Sequence, residues 1–289
     1  MEYKELGATG VRLPVIGLGT WQYKGGVGPL REGIALGACL IDTAESYGTE
    51  EIVGKSLRGI RDQVFVATKI SPRHFKHSDV ISAADRSLQR LQIDHIDLYQ
   101  LHWPNCAVPI DETMGAMEDL VDRGKVRFIG VSNFSLVELK QARAVLRKHS
   151  IVSNQVRYSL IDRSIEVRLL TYCRQNNITV IAYSPLARGI QNIKGRDPHG
   201  ILSKVAAMTG KTQSQVALNW CISKSPVIAI PKSNSIGHVV ENCKASNWRL
   251  SAGELRLLDE GIRFKRRGRA EAALRRAARC VGQKLGYIQ

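Results

Sequence analysis

The chain has 289 residues, 44% hydrophobic and 6% aromatic, with 42 Lys and Arg against 26 Asp and Glu, a formal net charge of +16. This is the composition of a soluble globular protein with ample core for one large domain or two ordinary ones. No apolar run approaches a membrane span, and the start, MEYKELG, is charged from its second residue and lacks an apolar signal region, so the expected compartment is the cytoplasm.

About half of the charge excess lies in residues 261–289, which hold nine basic residues and one acid, Glu271. Neither zinc-finger spacing nor an aromatic-basic RNA pattern accompanies it, so dedicated nucleic-acid binding is not expected. The six cysteines (Cys39, Cys106, Cys173, Cys221, Cys243, Cys280) are scattered, with no C-x-x-C and no histidine at ligand spacing. They are expected to be reduced, semi-buried thiols, and no metal is expected.

In chain order, a hairpin over YKELGATGVRLP precedes eight short apolar runs: 15–19, 39–44, 64–70, 96–102, 126–133, 152–158, 179–185 and 227–233. Several are near-continuous in Val, Ile and Leu, as strands buried on both faces are. Amphipathic stretches lie between them, with helices expected over 78–91 (Ser78 as N-cap), 111–124 (opening on Asp111, closing on Gly124), 135–148 and 162–177. Eight strands alternating with helices predict a parallel sheet closed as a (β/α)8 TIM barrel. The rival is an open doubly wound sheet. It would carry G-x-G-x-x-G after the first strand, whereas GLGTWQ has Gln22 at the third glycine position. No linker interrupts 1–289, so one domain is expected, with 262–289 as a basic C-terminal tail. On a helical projection of the tail, Ala270, Ala273, Leu274, Ala277, Val281, Leu285 and Ile288 share one face and Arg275, Arg276 and Arg279 the other. That predicts a helix with its apolar stripe on the barrel and its arginines facing solvent or an acidic partner, the competing reading being a mobile lid.

In such a barrel, the active site lies at the C-terminal ends of the strands. Those ends carry Thr20 and Trp21, Asp42 and Tyr47, Lys69, His102 and Trp103, Ser132 and Asn133, Gln155, Tyr183 and Ser184, and Lys232 and Ser233. Each has a plainer reading alone: Asp42 as a strand cap, Lys69 as a snorkelling surface lysine, His102 as a core imidazole. Together, a carboxylate, a phenol, an ammonium and an imidazole converge from strands two to four.

The motifs DTAESYG, ATKI, LHWP, GVSNF, NQVRYS, AYSPLARG and IPKSNSIGHVVEN give the chain a resemblance to the aldo-keto reductases from LPVIGLGTW to VENCKA. The resemblance implies an NADPH-dependent reductase of aldehydes or ketones, with Asp42, Tyr47, Lys69 and His102 as a catalytic tetrad. Tyr47 would donate the proton, its pKa lowered from about 10 by Lys69, which Asp42 holds charged. Also by resemblance, nicotinamide stacks on Tyr183 with its carboxamide at Ser132, Asn133 and Gln155, near Thr20, Trp21 and Asp42. The pyrophosphate passes Ser184, Pro185 and Leu186. The adenosine end meets Ile230, Lys232, Ser233, Asn234, Ser235, His238, Glu241 and Asn242. His238 replaces an arginine found in many relatives, which implies weakened discrimination against NADH. Trp21, Tyr47, His102 and Trp103, with Tyr23 as a further candidate, would wall a pocket for a small carbonyl substrate. A monomer is expected. The alternatives are a regulatory subunit on the same fold, like the potassium-channel β subunits, and a nucleic-acid binder using the basic tail.

Overall fold

The computed structural model describes residues 1–265 and 269–284. A hairpin of β1 (Tyr3–Glu5) and β2 (Arg12–Pro14) precedes eight parallel strands: β3 (Leu18–Gly19), β4 (Leu40–Asp42), β5 (Phe65–Ile70), β6 (Ile96–Leu101), β7 (Val126–Ser132), β8 (Ile151–Arg157), β9 (Thr179–Tyr183) and β10 (Val227–Ile230). Each neighbours the next in sequence. The ring closes where Gly17 N donates to Ala229 O (2.8 Å), Ala229 N to Val15 O (2.9 Å) and Gly19 N to Pro231 O (3.1 Å). This is the (β/α)8 barrel expected from the sequence.

Two layers fill the barrel. Leu40, Ala67, Leu98, Ile181 and Ile228 form an apolar floor, and the hairpin plugs it from below with Leu6 and Leu13. Side chains alternate along a strand, so residues two positions further on share the inward face. On β4, β5, β6 and β9 they are Asp42, Lys69, Gln100 and Tyr183, and on β10 the corresponding residue is Ile230: the floor is apolar and the rim polar except at Ile230. A larger core packs the outer strand faces against the helices.

The boundaries of four helices depart from expectation. The helix His77–Leu91 starts after Lys76 and the helix Ile110–Asp122 after Pro109, so neither Ser78 nor Asp111 is a cap. The helix Leu136–Val145 does begin at Ser135, in a capping box with Glu138, but stops three residues early. The helix expected over 162–177 is reduced to Leu169–Gln175. Arg163 explains this: its guanidinium donates to Leu160 O, Leu258 O and Asp259, and lies 4.6 Å from the Trp220 ring centroid, holding the preceding segment as a loop.

The tail is helical over Arg269–Lys284, but with its faces reversed. Leu274 and Val281 are 70% and 57% exposed, while Arg279 and Arg276 turn inward to the Glu138 carboxylate. The inward face is also held covalently. Cys106 and Cys280 form a disulfide, which also overturns the expectation of six reduced thiols; Cys39, Cys173, Cys221 and Cys243 are free. Gln283 adds two hydrogen bonds to the same loop, accepting from Cys106 N (3.1 Å) and donating to Pro104 O (2.9 Å). Leu285 and Ile288 lie outside the described residues. Among the described residues, no helix is long and apolar enough to cross a membrane.

Candidate active site

At the C-terminal rim, β4 and β5 bring Asp42 and Lys69 together. Lys69 is wholly buried; its Nζ donates to Asp42 Oδ2 (2.7 Å), to Thr43 O (2.7 Å) and towards the Tyr47 hydroxyl (3.4 Å). Tyr47 arrives on a single 3-10 turn, Glu45–Tyr47, directly after β4. Both ends of that turn are anchored. Glu45 accepts from Ser71 N (2.5 Å) and pairs with His74 (3.0 Å). On the other side, Thr49 bonds the hydroxyls of Thr20 (3.0 Å) and Thr43 (2.9 Å). Beyond it, Glu50 is buried and accepts from Thr68 (2.6 Å) and Arg90 (2.7 Å). Glu45 and Glu50, the acids that flank this turn after β4, thus anchor it and stand apart from the cluster of Asp42, Tyr47 and Lys69.

His102 follows β6, with Nε2 3.4 Å from the Tyr47 hydroxyl and its ring edge-on to that phenol, centroids 5.4 Å apart. The four residues singled out in the sequence therefore form one contiguous cluster. Burial, reinforced by the Lys69 charge, lowers the His102 pKa to about 3, so the imidazole is neutral in the ordinary pH range. Burial also raises the phenol of Tyr47. Lys69 opposes this, but the net shift is upward, against the lowered value expected from the sequence. Desolvation works against the charge on Lys69, yet Asp42 and Tyr47 leave its pKa raised.

A second group extends from β7, β8 and β9. Gln155 donates from Nε2 to Asp42 Oδ1 (2.6 Å), and Ser132 Oγ to Gln155 O (3.0 Å). Asn133 donates to His102 O (3.0 Å) and accepts from the Tyr183 hydroxyl (2.9 Å). Asn133 and Ser184 sit at φ of 62° and 50°, the left-handed turn by which each chain leaves its strand.

Further round the rim, Lys232, Asn234 and His238 are exposed at the start of the helix Ile236–Cys243, which Ser235 caps. Lys24 N donates to Asn234 Oδ1 (3.0 Å), bridging the loop after β3 to the loop after β10. Gly25 permits this approach, since a Cβ there would stand 2.7 Å from Asn234 O. A small crevice lined by Leu18, Gly19, Pro231, Ser233 and Asn242 lies beside Ser233.

Not every expected contact points into the groove. The Thr20 hydroxyl is spent on Asp42 O (2.9 Å), Ile230 lies in the barrel interior, and Glu241 accepts from Thr212 (2.6 Å). Tyr23 is buried with its hydroxyl on Gly26 O (2.7 Å) and is not part of the wall. Trp21 and Trp103, each 40% exposed, stand at the mouth. The sequence reading missed two residues. Gln100, buried, has Nε2 3.4 Å from Asp42 Oδ1; its place between Leu98 and His102 in the inward repeat was the available signal. Arg188 places its guanidinium 4.9 Å from the Trp21 ring centroid, across the groove, and nothing in the sequence announced that contact.

A family model described as the Aldo/keto reductase family matches residues 15–263, and the chain belongs to that family of oxidoreductases. It is 39% identical over 260 residues to the methylglyoxal reductase YeaE of Escherichia coli K12, covering 86% of this chain and 91% of that protein. Among solved structures, an aldo-keto reductase from Klebsiella pneumoniae in complex with NADPH superposes with a TM-score of 0.86 at 39% identity, covering 92% of this chain and 98% of that one. The thermostable aldo-keto reductase Tm1743, in complex with the inhibitor epalrestat, gives 0.84 at 39% identity, covering 90% and 99%.

Proposed function

We propose that the protein reduces a small aldehyde or ketone with NADPH, and that Asp42, Tyr47, Lys69 and His102 carry the chemistry. The observation that bears most weight is the position of the Tyr47 hydroxyl, between Lys69 Nζ and His102 Nε2 at 3.4 Å from each. The NADPH-bound relative supports the choice of cofactor. The donor set fits it. With the Gln155 amide nitrogen turned to Asp42, its Oε1 is left to accept a carboxamide N–H, beside the half-buried ring of Tyr183. Lys232 and His238 at a helix N-terminus suit a 2′-phosphate.

When bound, the dinucleotide supplies a hydride to the carbonyl carbon. The residues manage the charge that this pushes onto the carbonyl oxygen. His102, being neutral, can donate a hydrogen bond to that oxygen but has no labile proton to give near neutrality. Tyr47 therefore transfers the phenolic proton to the oxygen and is left as a phenolate. Lys69 stabilises that phenolate, and Asp42 keeps Lys69 charged and aimed. The raised phenol pKa keeps the proton in place until the oxygen becomes more basic than the phenolate. Trp21 and Trp103 would flank the substrate at the mouth. The relative named methylglyoxal reductase makes a small ketoaldehyde the first substrate to assay.

The test is Tyr47→Phe, assayed for aldehyde-dependent NADPH oxidation and for NADPH binding. Activity is expected to fall about 10²–10⁴-fold with binding unchanged. Retention of more than about a third of the activity would remove Tyr47 as the acid.

A further inference from the structure

Arg157 is a charge beside the proposed nicotinamide seat that the reaction above does not use. It ends β8 two residues beyond Gln155, on the same strand face, and pairs in register with Tyr183. Its guanidinium carbon lies 5.8 Å from the Tyr183 ring centroid. Its Nε is buried without a hydrogen-bond partner, and no carboxylate pairs with it among the described residues. Lys69, by contrast, is neutralised by Asp42 at 2.7 Å.

We propose that Arg157 sets the preference of this site between the two redox states of the dinucleotide, disfavouring NADP+ relative to NADPH. The inference rests on the reading of Tyr183 as the seat of the nicotinamide ring. The two cofactor forms carry the same phosphates and differ by one positive charge, which resides on that ring. A cation beside the aromatic seat repels the oxidised ring and leaves the neutral reduced ring nearly untouched. Two unit charges on the order of 10 Å apart, at an effective dielectric of about 20–40, change an affinity roughly four- to fifteenfold. The oxidised product would accordingly be held more weakly than the reduced reactant, which favours carbonyl reduction over alcohol oxidation and limits inhibition by NADP+. Arg157 acts here as a specificity-determining residue for the charge state of the cofactor, with no part in proton transfer.

The experiment measures equilibrium dissociation constants of NADPH and of NADP+ by calorimetry, without substrate, for the wild-type protein and for Arg157→Met, Arg157→Gln and Arg157→Lys. Loss of the charge should tighten NADP+ roughly four- to fifteenfold and change NADPH less than about twofold. Arg157→Lys should keep the wild-type ratio, and the Met and Gln variants should agree because only charge matters. High salt should shrink the difference between wild type and Arg157→Met. Equal shifts for both cofactors, or a Lys variant that behaves like Met, would overturn the proposal. Tyr183→Ala separates the underlying reading: if it weakens neither cofactor, the seat is wrongly assigned; if it weakens both while Arg157→Met leaves the ratio unchanged, only the role of Arg157 is lost.

Discussion

Gln155 donates from Nε2 to Oδ1 of Asp42 over 2.6 Å, so a residue of β8 orients the carboxylate that β4 presents to Lys69. The proposed carboxamide contact and the proposed tetrad are therefore mechanically one unit. Both groups are buried, which makes an unmade bond there expensive.

Gln155→Leu should therefore do two things at once. It leaves Asp42 Oδ1 with only the long contact to Gln100, costing about 1–3 kcal/mol of stability. It should also weaken NADPH binding and lower kcat about tenfold or more, since a 1.4 kcal/mol loss is a factor of ten. Thermal melting, NADPH titration and steady-state kinetics on one preparation check this. A variant that loses cofactor affinity but keeps both Tm and kcat would show the two sites to be independent.

Lys69→Met strands the Asp42 carboxylate in a buried site. Breaking such a pair from one side typically costs about 3–5 kcal/mol, and turnover should fall with it. The double variant Asp42→Asn, Lys69→Met removes the stranded charge. It should recover much of the stability in urea unfolding while staying inactive. Equal instability of the single and double variants would mean that the buried charge is not what destabilises the single one.

The pH profile of reduction follows from two shifted groups. His102 has a folded pKa of about 3 against an ordinary 6.5, so no ionisation of the imidazole should inflect kcat/KM between pH 5 and 8. Tyr47 is raised above 10, so activity should persist until the pH exceeds the ordinary phenol range. The stability signs are opposite. Between pH 6.5 and 3, the unfolded chain takes up a proton at His102 that the folded chain refuses, so the His102 contribution falls as pH drops through that window. Above pH 10, the folded chain keeps a phenolic proton that the unfolded chain releases, so stability falls as pH rises. A kinetic pKa near 6.5 that disappears in His102→Asn would contradict the neutral imidazole.

The polar rim was legible because spacing alone fixes it. Leu40 and Asp42, Ala67 and Lys69, and Leu98, Gln100 and His102 each repeat at two, so placing the hydrophobic floor places the polar layer above it, Ile230 above Ile228 being the apolar exception. Longer-range capture was illegible. The stretch 162–177 has helical periodicity, but no local pattern reveals that Arg163 reaches Leu258, Asp259 and Trp220 from the far end of the chain. In the tail, amphipathicity locates the apolar stripe correctly and says nothing about the disulfide, the Glu138 pairs and the Gln283 bonds that hold the opposite face.

His238 is exposed on the first turn of the helix Ile236–Cys243, six residues after the exposed Lys232. His238→Arg should tighten NADPH about five- to a hundredfold, the range of a charge-assisted contact worth about 1–3 kcal/mol, and leave NADH unchanged. Dissociation constants for both cofactors decide it. Parallel changes would mean that the side chain does not meet the 2′-phosphate.

The tail supplies the last prediction, because its two faces make opposite claims. If the face carrying Arg279, Cys280 and Gln283 holds the helix down, Leu274→Lys should change stability by no more than about 0.5 kcal/mol, as exposed substitutions do. Gln283→Ala should cost about 1–3 kcal/mol, because it leaves Cys106 N and Pro104 O without partners. Removing the cross-link by Cys280→Ser should cost up to about 3–5 kcal/mol, because the bridge spans a separation of 174 residues and its effect grows with the logarithm of that length. The loop so released, Pro104 to Cys106, directly follows His102 and Trp103, so KM should change by different factors for different aldehydes while NADPH binding holds. Trypsin gives a direct readout. Cleavage near Arg263 or Lys265 should leave the tail attached on a non-reducing gel and detach it once a dithiol is added. Should the tail come away without reductant, or should Leu274→Lys destabilise more than Gln283→Ala, the apolar face is the packed one after all.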